Sequence, residues 1–160
     1  GADIKLVEPA NMHITLKFFG ETEEKMVGDI KGELNRLSVK NTSFCAGFKG
    51  VGAFPDGTMP RVVWVGIEDK GRLSGLASEI ENALTGFGFN KEKKPFTAHL
   101  TIARIRSLKN ANKLSVELND LKNEVPFFGE EEILKIALMK SEPAPDGPVY
   151  TPLWEGILRK

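Results

Sequence analysis

The chain has 160 residues, enough for one domain or for two small lobes sharing a core. Apolar residues make up 41% and charged residues 28%, an ordinary globular mix, and the zero net charge excludes a global positive field that would recruit long nucleic acid. The lone cysteine, Cys45, excludes an internal disulfide. No apolar run approaches a membrane span and no cationic apolar leader opens the chain, so the expectation is a soluble, cytoplasmic protein without membrane contact.

Taken in order, Met12 to Phe19 is rich in β-branched and aromatic residues, and Gly20 closes it, which predicts a strand. The stretch ETEEKMVGDIKGELNRLS places Met26, Val27, Ile30, Leu34 and Leu37 at helical spacing, with Thr22 as a cap. Strand-like pieces follow at Phe44 to Phe48, Val51 to Phe54 and Arg61 to Ile67, the last two separated by the turn PDGTMP. A second helix is predicted from Gly71 to Thr85, ended by Gly86 and Gly88. A strand from Phe96 to Ile105 precedes a polar helix over Asn110 to Lys122, with Leu114, Leu118 and Leu121 as its inward stripe. EILKIALMKSE and YTPLWEGILR close the chain as two strands around the loop PAPDGP. Strands joined by short turns between blocks of helix favour an α+β fold with antiparallel sheets over a doubly wound parallel one.

The chain's only two histidines, His13 and His99, open the same pattern: HITLKF and HLTIAR. Alternation puts His13, Thr15 and Lys17 on one strand face, and His99, Thr101 and Ala103 on one face of the other. Each strand then anchors itself by its aliphatic face and presents an imidazole with a hydroxyl about 6–7 Å further along. Imidazole, with an unperturbed pKa of roughly 6.5, exchanges protons near neutral pH. Two of them make an acid–base pair that needs neither metal nor covalent intermediate, and two threonine hydroxyls can cradle a phosphate. A strand histidine taken singly is more often a hydrogen-bonded structural residue. Both histidines in mirrored settings argue otherwise, and hint at an internal duplication. Two histidines and one cysteine cannot build a Cys/His zinc site, and neither HExxH nor an EF-hand loop is present, so no metal is expected.

The pair HITLKF and HLTIAR resembles the two H-x-T-x signatures of the 2H phosphoesterase family, in its RNA 2′,3′-cyclic phosphodiesterase (2′-5′ RNA ligase-like) branch. KLVEPANMHITLKFFGE, GVGAFPDGTMPRVVWVGIED and LMKSEPAPDGPVYTPLWEG resemble that branch in order and spacing, so the likeness covers nearly the whole chain. It implies one domain over residues 1–160, α+β and bilobal, with two antiparallel sheets and outer helices around a central cleft, in pseudo-two-fold duplication. Each lobe would contribute one H-x-T strand. His13 would be the proton donor and His99 the proton acceptor, with Thr15 and Thr101 on the nonbridging oxygens. The product of hydrolysis would carry a 2′-phosphate; a 5′-hydroxyl in place of water would give 2′-5′ ligation. The implied partners are RNA ends or small nucleotides carrying a 2′,3′-cyclic phosphate, with no cofactor and no obligate protein partner. Relatives usually carry a strand and a helix before the first signature, and the resemblance leads to the expectation that this stretch is absent ahead of His13.

Further candidates for substrate binding are Arg104, Lys17, Arg61, Phe54 and Tyr150. Arg104 follows the second signature, but simple alternation points it away from His99 unless a bulge intervenes. Lys17 shares the His13 face, and Arg61 adjoins a turn. Phe54 and Tyr150 offer rings for stacking a terminal base, whereas Trp64 within VVWVGI reads as core and Cys45 as a small packed residue. The glycines of GFKGVGAF do not form a phosphate loop. A non-catalytic nucleotide- or RNA-end-binding module is the alternative to an enzyme.

Overall fold

A computed structural model describes residues 2–55, 59–107, 109–124, 126–145 and 147–160. The centre of the PDGTMP turn and one residue of PAPDGP lie outside them. Among the described residues there are seven strands, three α-helices and three short 3-10 turns. The chain divides into two compact units, each assembled from three chain segments.

The first unit comprises Gly1–Thr15, Ala46–Lys70 and Thr97–Glu131. Its frame is a five-stranded sheet built from β1 (Ile4–Leu6), β2 (Phe44–Phe54), β3 (Val62–Glu68), β4 (His99–Ile105) and β5 (Phe127–Ile133), in the order β1-β4-β3-β2-β5. The β1/β4, β3/β4 and β2/β3 pairs are antiparallel. The two pieces expected at 44–48 and 51–54 are one strand. Its register against β3 shifts between Phe48 and Val51, where Gly50 has a φ of +71°. There the left-handed region suits glycine. Val51, Val63, Val65 and Ala103 are buried and form the sheet's inner face. The helix α3 (Ala111–Glu124) also belongs here. Its expected stripe is shallow: Ala111 is buried, Leu114 and Leu118 are half-buried, and Leu121 is exposed.

The second unit comprises Leu16–Cys45, Gly71–Phe96 and Glu132–Lys160. Here α1 (Val27–Lys40) and α2 (Arg72–Leu84) pack with β6 (Lys135–Glu142) and β7 (Val149–Ile157), an antiparallel pair. Ile30, Leu34 and Leu37 from α1 meet Leu76, Ile80 and Leu84 from α2, together with Ile136, Leu138 and Leu158. These are the positions the helical spacing selects, and each such side chain contributes about 1.5–3 kcal/mol on leaving water. Thr22 does not cap α1; its hydroxyl donates to the Gly20 carbonyl, and a 3-10 turn at Glu24–Met26 leads into the helix.

Three expectations give way. Residues 12–20 carry no strand pairing, and the alternation read there fails after Leu16: Phe18 is exposed while Phe19 packs with the core. Cys45 is exposed. Both H-x-T signatures begin in the first unit rather than one in each, because the chain passes to the other core at Leu16.

Candidate active site

Two imidazoles are held in the same manner. His13 follows a 3-10 turn at Pro9–Asn11, where proline fixes the backbone at the turn's start. Its Nδ1 lies 2.7 Å from the Asn11 carbonyl oxygen. His99 opens β4, and its Nδ1 lies 2.7 Å from the Thr97 carbonyl oxygen. A carbonyl only accepts, so in both rings Nδ1 is the donor, and the neutral ring keeps its lone pair on Nε2. Each ring is thus tied to the backbone two residues earlier and presents the same nitrogen for chemistry. Thr15 and Thr101 are half-buried, and all four side chains belong to the first unit.

The register of β4 decides what joins them. Val63 pairs with Ala103 but Trp64 pairs with Thr101, so Ile102 is an extra residue on β4. A one-residue bulge reverses the faces beyond it. Ala103 therefore lies with Val63 on the buried face, while Arg104, opposite Val62, returns to the face of Trp64, Thr101 and His99. The bulge that Arg104 required is present. On the next strand Lys5 pairs with Arg104 and so shares that face, a position the sequence pattern had not singled out.

Phe54 and Trp64 complete this face. The Phe54 ring stands at 87° to His99 with centroids 5.2 Å apart, and it leans on Trp64 at 5.1 Å. Trp64 is half-buried beside His99, at 6.4 Å, rather than lost in the core. Gly52 lies opposite Trp64, and a methyl group on it would collide with the indole. Gly52 is room for a ring, which period-two patterning has no means of showing.

Other candidates have other tasks. Arg61 is exposed, while its N–H donates to the Phe54 carbonyl at 2.7 Å and its carbonyl accepts from Ile105 at 2.8 Å, tying the ends of three strands. Lys17 lies in the second unit with its side chain only 3% exposed. Its ammonium donates to Glu81 at 3.2 Å and to the Asn90 carbonyl at 2.9 Å, so its charge is committed to a structural clamp. The Glu81 carboxylate also accepts from the Glu92 N–H at 2.8 Å. Tyr150 is half-buried on β7, opposite Ser141, in the second unit. Among the described residues no group of three or more His, Cys, Asp or Glu side chains gathers as a metal site, and no helix is long and apolar enough to cross a membrane.

The model of the LigT-like phosphoesterases matches residues 1–64 and again 65–150. This chain belongs to the LigT-like phosphoesterase family. Among its relatives, the RNA 2′,3′-cyclic phosphodiesterase of Aquifex aeolicus is 40% identical over 159 residues, covering 96% of this chain and 81% of that one. The protein of the same name from Archaeoglobus fulgidus is 38% identical over 152 residues, covering 94% and 81%. The crystal structure of TT0787 of Thermus thermophilus superposes with a TM-score of 0.80 at 31% identity, over 98% of this chain and 83% of that one. E. coli LigT complexed with 3′-AMP shares the fold, with a TM-score of 0.74 at 22% identity over 99% and 83%. A model that matches twice, once around each H-x-T signature, agrees with the repetition in this LigT-like chain.

Proposed function

We propose that this chain is an RNA 2′,3′-cyclic phosphodiesterase that opens the cyclic phosphate to a 2′-phosphomonoester by paired-histidine acid–base catalysis. The observation that carries the reading is the identical tethering of the two imidazoles, each donating from Nδ1 to the carbonyl two residues before it. Relatives that bear the name of this activity at 38–40% identity support it.

His99 Nε2 takes a proton from water as the water oxygen attacks phosphorus. The bond from phosphorus to O3′ breaks, and protonated His13 delivers its Nε2 proton to O3′. The 2′ ester bond survives, so the product is a 2′-phosphate. The Thr15 and Thr101 hydroxyls donate to the nonbridging oxygens as negative charge builds on them. Arg104, on the Thr101 face, adds a fixed positive charge. With a 5′-hydroxyl in place of water, the same proton transfers join two RNA ends through a 2′-5′ bond. The substrates of this reading are RNA ends and small nucleotides with a 2′,3′-cyclic phosphate, acted on in the cytoplasm by one domain spanning 1–160.

The test is incubation with a 2′,3′-cyclic nucleotide and separation of the isomeric monophosphates. The 2′-monophosphate is expected, with the rate reduced about 10²–10⁴-fold in His13→Ala and in His99→Ala. Tight binding without product would make the protein a binding module. The 3′-monophosphate would reverse the assigned leaving group.

A further inference from the structure

The two imidazoles are tethered alike, and the His99 ring meets two aromatic rings. The hydrogen bond from Nδ1 to the Thr97 carbonyl sets the tautomer and fixes one point of the ring. Phe54 meets the ring at 87° and 5.2 Å, an edge-to-face geometry that a rotating imidazole would lose. Trp64 stands behind both, 5.1 Å from Phe54 and 6.4 Å from His99.

The backbone makes room for this stack. Gly52 is the cross-strand partner of Trp64, and Gly66 that of His99. A Cβ on Gly52 would lie 2.6 Å from Trp64 Cη2 and 2.8 Å from Cε2, inside any normal contact. On Gly66 it would come within 2.7 Å of the Lys49 carbonyl oxygen and 3.6 Å of Trp64 Cζ3. The Trp64 Nε1 is buried without a hydrogen-bond partner among the described residues. A buried, unpaired indole N–H carries a desolvation cost, so what this side chain offers its neighbours is its shape rather than its polar atom.

We propose that Phe54 and Trp64 are positioning residues that lock the His99 imidazole in one orientation, its tautomer being set by the Thr97 carbonyl, with Gly52 as the position that admits the indole. Phe54 thereby acts through His99 rather than by stacking on the substrate base. The catalytic consequence rests on the function proposed above; the orientation of the ring does not.

Two readouts separate these. With only two histidines in the chain, nitrogen NMR on histidine-labelled full-length protein resolves both rings. In the unaltered protein at a pH where the rings are neutral, each shows the Nδ1–H form. In Phe54→Leu and in Gly52→Ala, the His99 ring signals are expected to broaden as the ring samples more than one orientation, while those of His13 are unchanged and serve as the folding control in the same molecule. Trp64→Leu, which removes no hydrogen bond, broadens the His99 signals in the same way, and Phe54→Tyr keeps them sharp. On a small cyclic nucleotide, Phe54→Leu lowers kcat about tenfold with KM within twofold, because a misdirected base slows the chemical step without loosening binding. An unchanged His99 spectrum in both Phe54→Leu and Gly52→Ala overturns the proposal. A raised KM at unchanged kcat also overturns it, by placing Phe54 on the substrate. Absence of turnover in the unaltered protein would defeat the function alone, since the spectra still decide whether the rings hold His99.

Discussion

Replacing Glu81 with glutamine asks how much the clamp around Lys17 contributes to stability. The Lys17 side chain is 3% exposed and that of Glu81 is 19% exposed, so the two partners are unequally cut off from water. Removing one partner of a fully buried pair costs about 3–5 kcal/mol, because the charge left behind is uncompensated. In Glu81→Gln the ammonium retains the Asn90 carbonyl at 2.9 Å, and the new amide oxygen still accepts, so the expected cost is about 2 kcal/mol. In Lys17→Met the carboxylate keeps the Glu92 N–H at 2.8 Å and its access to water, and the methionine fills the buried stem, so the cost falls to about 1 kcal/mol. Urea unfolding reads both, a loss of about 2 kcal/mol moving the midpoint by about 1 M. The Glu81 carboxyl is held below its ordinary value of 4.5, first by the Glu92 N–H and then, against the opposing effect of burial, by Lys17. A depressed carboxylate stabilises fully above its ordinary value and ceases to do so as pH falls through the lowered one. The difference between the unaltered protein and Glu81→Gln should therefore shrink only below pH 4.5. A Lys17→Met variant as unstable as Glu81→Gln would refute the reasoning, since it would mean that the buried charge is not what the clamp neutralises.

Arg104→Ala should raise KM for a cyclic nucleotide about tenfold, the loss of one charge-assisted contact, with Arg104→Lys in between; an unchanged KM would mean that Arg104 makes no contact with the substrate. Gly32→Ala on α1 adds a methyl group that meets nothing within 4 Å, and should stabilise by about 0.5–1 kcal/mol, seen as a raised Tm. Gly156→Ala on β7 should do the opposite: its Cβ would collide with the Trp154 ring and lie 2.6 Å from Ser38 Oγ, at an overpacking cost of about 1–3 kcal/mol. A chelator such as EDTA should leave the hydrolysis rate unchanged, because no step of the proposed reaction passes through a metal.

Helices were the most legible part of the fold. The apolar residues of α1 and α2 repeat with the helical period of about 3.6, and those positions make the core of the second unit. The strands were legible in type and less so in extent. β1 has only three residues, too few for a period, and β5 reads FFGEEEI, whose exposed Phe127 and Phe128 and three glutamates obscure any alternation. The segment around His13 misled for a different reason. Its composition is that of a strand, but composition does not supply a hydrogen-bonding neighbour, and residues 12–20 pair with none. Of the candidate site, the two histidines and two threonines were legible because they repeat. Lys17 was not, because its fate depends on Glu81 and Asn90, far along the chain. Trp64 reads as core from VVWVGI, since nothing local there announces the glycine opposite it.

On β4 a one-residue change of register decides which side chains face the imidazole. A strand's side chains alternate strictly, so a straight β4 carrying His99 and Thr101 on one face would carry Ala103 there too and send Arg104 to the core side. A guanidinium among Val51, Val63 and Val65, each 6% exposed, would lack partners to offset its desolvation. The extra residue at Ile102 resolves the conflict by putting the small apolar side chain inward and the arginine outward, beside the hydroxyl. The bulge does not leave the backbone there unpaired, because the Ile102 carbonyl accepts from the Val7 N–H at 2.9 Å. Three constraints are met at once: a buried inner face, a satisfied backbone, and a cation on the same side as the imidazole. Deleting one residue between Thr101 and Arg104 would satisfy at most two of them, so for this strand the count of residues matters more to the chemistry than the identity of Ile102.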